Sequence, residues 1–175
     1  SEMCIRDSLA TVLQQSRMAV ENYLPDFARE SARRAEAARA WLGLDGSEPG
    51  SDLQRMWARH ALALSAADPQ SAGRVRGLLD GDVTGLVVDP EMRWQSWMAL
   101  AGLGQASVED LDAELERDHT KTGVAHHLAA LTARPDDAAK QEAYRRLRTP
   151  GELSNEHCLA LIEGLRTPLG ACLLY

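Results

Sequence analysis

Phenylalanine is almost missing from this chain, with one residue among 175 against four tryptophans. Isoleucine and valine are scarce too. Strands draw most heavily on β-branched and aromatic side chains, so strand-rich folds are disfavoured at once. No apolar run approaches the roughly 18 residues that a membrane helix needs, and no secretory apolar segment follows the start. Positive charge is in deficit, with 19 Lys and Arg against 26 Asp and Glu and a net charge of −7. Phosphate binding needs a basic surface, which argues against nucleic acid as a partner. The same deficit argues against an anionic membrane surface. Cysteine is limited to three residues, and two of them, Cys4 and Cys172, lie at the ends. Cys158 then has no intrachain disulfide partner, which fits a reducing, cytoplasmic compartment.

What the chain does hold is helix-forming material. Ala and Leu make up roughly 30% of it, and both favour helix. Hydrophobic residues at 45% and charged residues at 26% are ordinary globular usage, not that of a disordered chain. The length suits one domain or one compact piece of a larger protein.

The two ends read differently from the rest. Met3 is not the first residue, and residues 1–8 resemble translated sequencing-adapter read-through. Residues 171–175 have the same character. Both are expected to lie outside the domain, which leaves residues 9–170 as its body; a natural cap before a helix and an apolar last turn are the alternative.

Start and stop signals divide that body into helices. The first is expected over residues 8–23, ending at Leu24-Pro25, and the second from Asp26 as cap to Leu42, stopping at Gly43. Ser51 or Asp52 opens a third with Leu53, Met56, Trp57, Ala61 and Leu64 on its inner face. Asp68-Pro69 and Asp89-Pro90 each give an N-cap followed by proline at the first helical position. Between them, Gly85-Leu86-Val87-Val88 reads as an extended connector. Trp94, Trp97, Met98 and Ala101 form one stripe on the next helix, which Gly102 and Gly104 end. Ser107-Val108-Glu109-Asp110 resembles a capping box, with Val108, Leu111 and Leu115 inward and the acids between them in water. A helix carrying Val124, His127, Leu128 and Leu131 ends at Arg134-Pro135. The next turns Ala139, Ala143, Tyr144 and Leu147 inward, and the last, capped by Ser154, turns in Leu159, Ile162 and Leu165. Trp57 and Trp97 stand about 40 positions apart, near the spacing of helical-hairpin repeats. The fold class expected is all-α, an irregular helical-hairpin (HEAT-like) solenoid of about nine helices.

Residues able to do chemistry do not converge in sequence. His60, His119, His126, His127 and His157 are none of them followed by Glu, so His-Glu-x-x-His is absent. His126 and His127 point about 100° apart on a helix and make a poor joint site. Cys158 beside His157 lacks a base on its own helix face and reads as a small buried hydrophobe. Glu114, Glu116 and Asp118 read as a solvated acidic face. Arg29, Arg33 and Arg34, and again Arg145, Arg146 and Arg148, read as charged helix surfaces. Trp41, Trp57, Trp94 and Trp97 sit at core spacing. No phosphate-binding glycine loop is present.

An ordered string of short motifs does carry information. Arg74-Val-Arg-Gly-Leu-Leu-Asp-Gly81 is followed by Gly85-Leu-Val-Val-Asp89 and Met92-Arg-Trp94. Leu111-Asp-Ala-Glu-Leu-Glu-Arg-Asp118 and Glu152-Leu-Ser-Asn155 come next, and Gly50-Ser-Asp52 with Trp57-Ala-Arg59 precedes them all. The string resembles the C-terminal helical (ERAP1-like C-terminal) domain of the M1, or gluzincin, family of zinc aminopeptidases in its actinobacterial form. It covers residues 50–166 well and the first two helices loosely. The resemblance implies a β-rich N-terminal domain and a thermolysin-like zinc catalytic domain upstream. It further implies a helical bowl that closes over the active site and limits access to short peptides. The implied partners are that catalytic domain and, in the parent, the peptide substrate. The family's zinc motif and its Gly-x-Met-Glu-Asn loop do not occur here, so no catalytic, cofactor-binding or metal residue is assigned, and the zinc is expected in the parent's catalytic domain. A stand-alone α-solenoid that binds another protein fits composition and periodicity equally. A self-contained enzyme using His119, His126 and His127 is disfavoured.

Overall fold

The computed structural model describes residues 2–149, 151 and 153–167, with side chains from Ser8 onward. Residues 171–175 and Ser1 lie outside the described residues. Among the described residues nine α-helices follow one another: α1 Glu2–Tyr23, α2 Asp26–Asp45, α3 Asp52–Ser65, α4 Ala72–Asp80, α5 Pro90–Gly102, α6 Val108–Arg117, α7 Lys121–Ala133, α8 Asp137–Leu147 and α9 Asn155–Leu165. A single 3₁₀ turn, Pro69–Ser71, leads into α4, and no strand occurs among the described residues. The all-α fold class is thus observed.

Local capping explains where most helices begin. The side chains of Ser51, Asp68, Asp89, Thr120, Asp136 and Ser154 each accept a hydrogen bond from a backbone N–H two or three residues on. Ser107 and Asp110 form the reciprocal box, satisfying two of the donors a helix start leaves open. Gly81, in the left-handed region at φ +85°, ends α4. The 82–89 segment is irregular and packs Val83, Leu86 and Val88 against the core, as expected of a connector.

Helix α1 starts at Glu2 rather than near Ser8, because no proline or glycine interrupts that stretch. In α2 the cap position is Pro25, Asp26 is the first helical residue, and the helix runs through Gly43 to Asp45. Gly43 is a packing residue and not a stop: a Cβ built there falls 2.4 Å from the Trp57 ring of α3.

The helices pair as hairpins and stack in two layers. α2 packs on α3, α4 on α5, α6 on α7 and α8 on α9. The odd-numbered helices also touch in succession, α1 with α3, α3 with α5, α5 with α7, and α7 with α9. One layer is therefore α1-α3-α5-α7-α9, and the even-numbered helices back it. Each hairpin buries its faces against neighbours only, which is the architecture of a helical-hairpin solenoid. The main core joins Trp41, Leu44, Leu62, Val75, Leu78, Met92, Leu100 and Leu111. A smaller cluster holds Ala143, Leu161 and Leu165 under the last two hairpins.

Several faces turn differently from their sequence periodicity. α5 is wrapped by α3, α4 and α7, so Met92, Trp94, Ser96, Ala99 and Leu100 are all buried and the single stripe dissolves. α3 buries Gln54, Ala58, Ala61, Leu62 and Ser65, leaving Leu53 exposed. Val124 and Tyr144 face out. In α9 the expected inner residues Leu159 and Ile162 are 67% and 42% exposed. There Ala160 and Gly164 let α9 approach α7 closely, with the Gly164 Cβ position 2.4 Å from the Ala129 carbonyl oxygen. That close approach pulls Ala160, Leu161 and Gly164 inward and leaves Leu159 and Ile162 outside.

Candidate functional site

The outward turn of Leu159 and Ile162 places both in the lining of a groove. This groove, of about 480 Å³, runs across the odd-numbered layer and draws on every helix in it. α3 contributes Leu62 and Ala63, with Ala66 at its C-cap. α5 contributes Glu91, Trp94, Gln95, Met98 and Ala99, and α7 contributes His126. Leu159, Ile162, Glu163 and Arg166 line the α9 side, and Arg17 of α1 closes the opposite end. The lining is mixed: aliphatic carbons from α3, α5 and α9 lie between charged groups of both signs. Among the described residues, Arg17 and Arg166 make no ion pair.

A polar network braces the wall of this groove. Arg93 of α5 donates from Nε to Glu114 Oε1 of α6 at 2.7 Å and from Nη2 to Oε2. Trp97 Nε1 donates to the same Oε2 at 3.0 Å. About one helical turn earlier, Trp94 Nε1 donates to Asp118 at 2.8 Å. Burial raises the Glu114 carboxyl, but hydrogen bonds from Arg93 and Trp97 outweigh it and hold the group below the ordinary range. Hydrogen bonds from Thr120 and Trp94 lower Asp118. Glu114 is thus a correction to the solvated acidic face: it is 4% exposed and faces inward. Spacing along α6 could not reveal it, because its partner Arg93 lies on another helix.

The histidines do not assemble. His119 is solvent-exposed, just past the end of α6, and lies 3.5 Å from Glu116. His126 Nε2 lies 3.0 Å from Glu91 Oε2, and His127 Nε2 lies 2.8 Å from Asp112 Oδ1. His60 sits edge-on to Trp57, and burial holds its imidazole below the usual value. No three His, Cys, Asp or Glu residues converge as a metal site among the described residues. Among the described residues, each of these two imidazoles meets one carboxylate, on separate helices, and no third ligand joins either pair. Cys158 is a free, half-buried thiol, and neither it nor His157 makes a side-chain hydrogen bond among the described residues.

The arginine clusters are largely neutralised locally. Arg29 pairs with Asp26, Arg33 with Glu21, Arg34 with Glu30 and Arg145 with Glu142. Of the tryptophans, Trp41 and Trp94 are buried and Trp57 and Trp97 half-buried, in line with core spacing. Trp41 also donates to Ser71 and carries the Arg74 guanidinium over its ring. A second cavity of about 470 Å³ lies near the α2–α3 turn, and several of its polar groups are engaged. Gln54 bridges the Gly50 N–H and the Thr84 carbonyl, and Arg74 pairs with Asp45. The groove on the odd-numbered layer is therefore the candidate site.

Comparison with known proteins agrees with this architecture. The model of a family described as the ERAP1-like C-terminal domain matches residues 5–174. Aminopeptidase N of Streptomyces lividans is 36% identical over 94% of this chain. The chain spans only 21% of that relative's length. No described helix is long and apolar enough to cross a membrane.

Proposed function

The chain belongs to the ERAP1-like C-terminal domain family, and on that premise we propose that it serves as the C-terminal helical domain of an M1-family zinc aminopeptidase. In this reading the odd-numbered layer faces the catalytic domain, and its groove forms part of the wall that covers the active site. The domain then gates which peptides reach the centre where the N-terminal residue is removed. Zinc and the catalytic residues belong to the upstream catalytic domain, in a cytoplasmic enzyme. The observation that carries the reading is the groove itself. Its lining comes from all five helices of one layer and sets aliphatic side chains between charged ones.

Two experiments test it. The 175-residue chain alone is expected to hydrolyse no aminoacyl-p-nitroanilide and to hold no stoichiometric zinc. Turnover that survives purification and chelator controls would refute this. In the parent enzyme, Ala63→Trp and Ala66→Trp fill the groove from α3. Such variants are expected to lower kcat/KM for peptides of several residues while sparing an aminoacyl-p-nitroanilide. An equal effect on both substrates, or none on either, would overturn the gating role.

A further inference from the structure

The first hairpin, α1 with α2, turns large apolar side chains to solvent. Tyr23 and Phe27, on either side of Pro25, are 83% and 89% exposed, and Val12 and Leu42 are 58% and 68% exposed. On α2, Phe27 and Leu42 stand at i and i+15, so they share one face about 22 Å apart. Ser31, Ala35 and Ala38 fall on the same face, are exposed and carry no charge. A separate face of α2 supplies Ala37, Ala40, Trp41 and Leu44 to the core. The even-numbered helices further along present charge instead. Arg74, Arg76 and Asp80 of α4 are exposed, as are Glu109, Asp112 and Glu116 of α6.

The stack itself indicates what covers this face. α3 lies between α1 and α5, α5 between α3 and α7, and α7 between α5 and α9. α1 has α3 on one side, while Val12 and Tyr23, sharing a flank at i and i+11, meet solvent. Solenoid hairpins bury their faces on sequence neighbours, and a hairpin that ends a stack carries a polar outer face. The stripe from Phe27 to Leu42 is uncharged, so the first hairpin is built as an inner member. Its neighbour on the side away from α3 is the hairpin that precedes it in the chain. The Streptomyces lividans relative has length to supply one, since this chain spans 21% of it. We propose that the α1–α2 face is the seam at which a preceding amphipathic helical hairpin of the same polypeptide joins the solenoid. Phe27 and Leu42 anchor the two ends of that seam, a span that about four turns of helix cover. The inference rests on the reading of this chain as one domain of a longer enzyme, and is independent of the gating role.

Thiol labelling tests it. Phe27→Cys and Leu42→Cys are made singly in the 175-residue chain and in the longer parent, with the native cysteines replaced by serine. Each maleimide labelling rate is divided by the rate for the same protein unfolded in urea. Both sites should label near the unfolded rate in the 175-residue chain. In the parent they should label at least about tenfold more slowly, because a packed seam opens only by local unfolding. Equal rates in the two proteins would overturn the seam. Protection that fades on dilution of the parent would assign the face to a second copy, and would overturn it as well. Turnover of an aminoacyl-p-nitroanilide by the same parent samples reports on the enzyme reading separately, so equal labelling in an active parent sinks the seam alone.

Discussion

Arg93 and Glu114 meet in a two-pronged ion pair between α5 and α6, with Arg93 Nε 2.7 Å from Glu114 Oε1 and the carboxylate almost wholly buried. Trp97 donates to the same carboxylate. One acid thereby satisfies a guanidinium and an indole that both project from the central helix.

Breaking that pair on one side leaves the other charge buried. Glu114→Ala strands both Arg93 and Trp97 and should cost about 3 kcal/mol, as for other buried pairs cut in half. Arg93→Met with Glu114→Leu removes both charges and should recover most of the loss. Urea unfolding of the three chains measures this. A double variant as unstable as the single one would contradict the argument.

Acid should unfold the chain through a small set of carboxyls. Hydrogen bonding from Arg33 lowers Glu21, backbone and side-chain hydrogen bonds from Ser107 lower Asp110, and Glu114 and Asp118 are also held low. A group lower in the folded state than in the unfolded one adds stability above its unfolded value. That stability is lost as pH falls through the folded value. Unfolding free energy should therefore change little on account of these groups above about pH 5 and drop below about pH 4. Glu114→Gln should show a shallower drop, read by urea titration at a series of pH values.

Lys140 acts in the same direction but in a higher pH window. It is buried, its ammonium donates to the Thr132 carbonyl, and burial holds it below its usual value. Between its folded value and the usual one the unfolded chain binds the extra proton, so stability rises with pH across that window. The rise should be missing from Lys140→Met when both chains are followed from pH 8 upward.

Two glycines in helices should respond oppositely to alanine. Gly43→Ala drives a methyl group into the Trp57 ring and should cost about 1–3 kcal/mol, as overpacking does. Gly73, near the start of α4, has open space around its Cβ position, and alanine there should gain up to about 1 kcal/mol. Thermal unfolding of the pair gives the answer, and equal signs would refute it.

The sequence by itself determined the helical fold class and most helix starts. Ser51, Asp68, Asp89, Ser107 and Ser154 act on backbone N–H groups no more than three residues away, so the signal and its effect share one short segment. The ordered motifs likewise pointed to the family that the whole chain matches. Tertiary structure alone decided which way the faces turned. Gly43 continues α2 because Trp57 needs its missing side chain, and Gly164 rolls α9 so that Leu159 and Ile162 look outward. Glu114 went inward because Arg93 and Trp97 of another helix hold its charge. The groove was illegible for the same reason: its lining spans Arg17 to Thr167. Periodicity ranks residues by apolarity along one helix, whereas burial is set by how closely the neighbouring helices can approach.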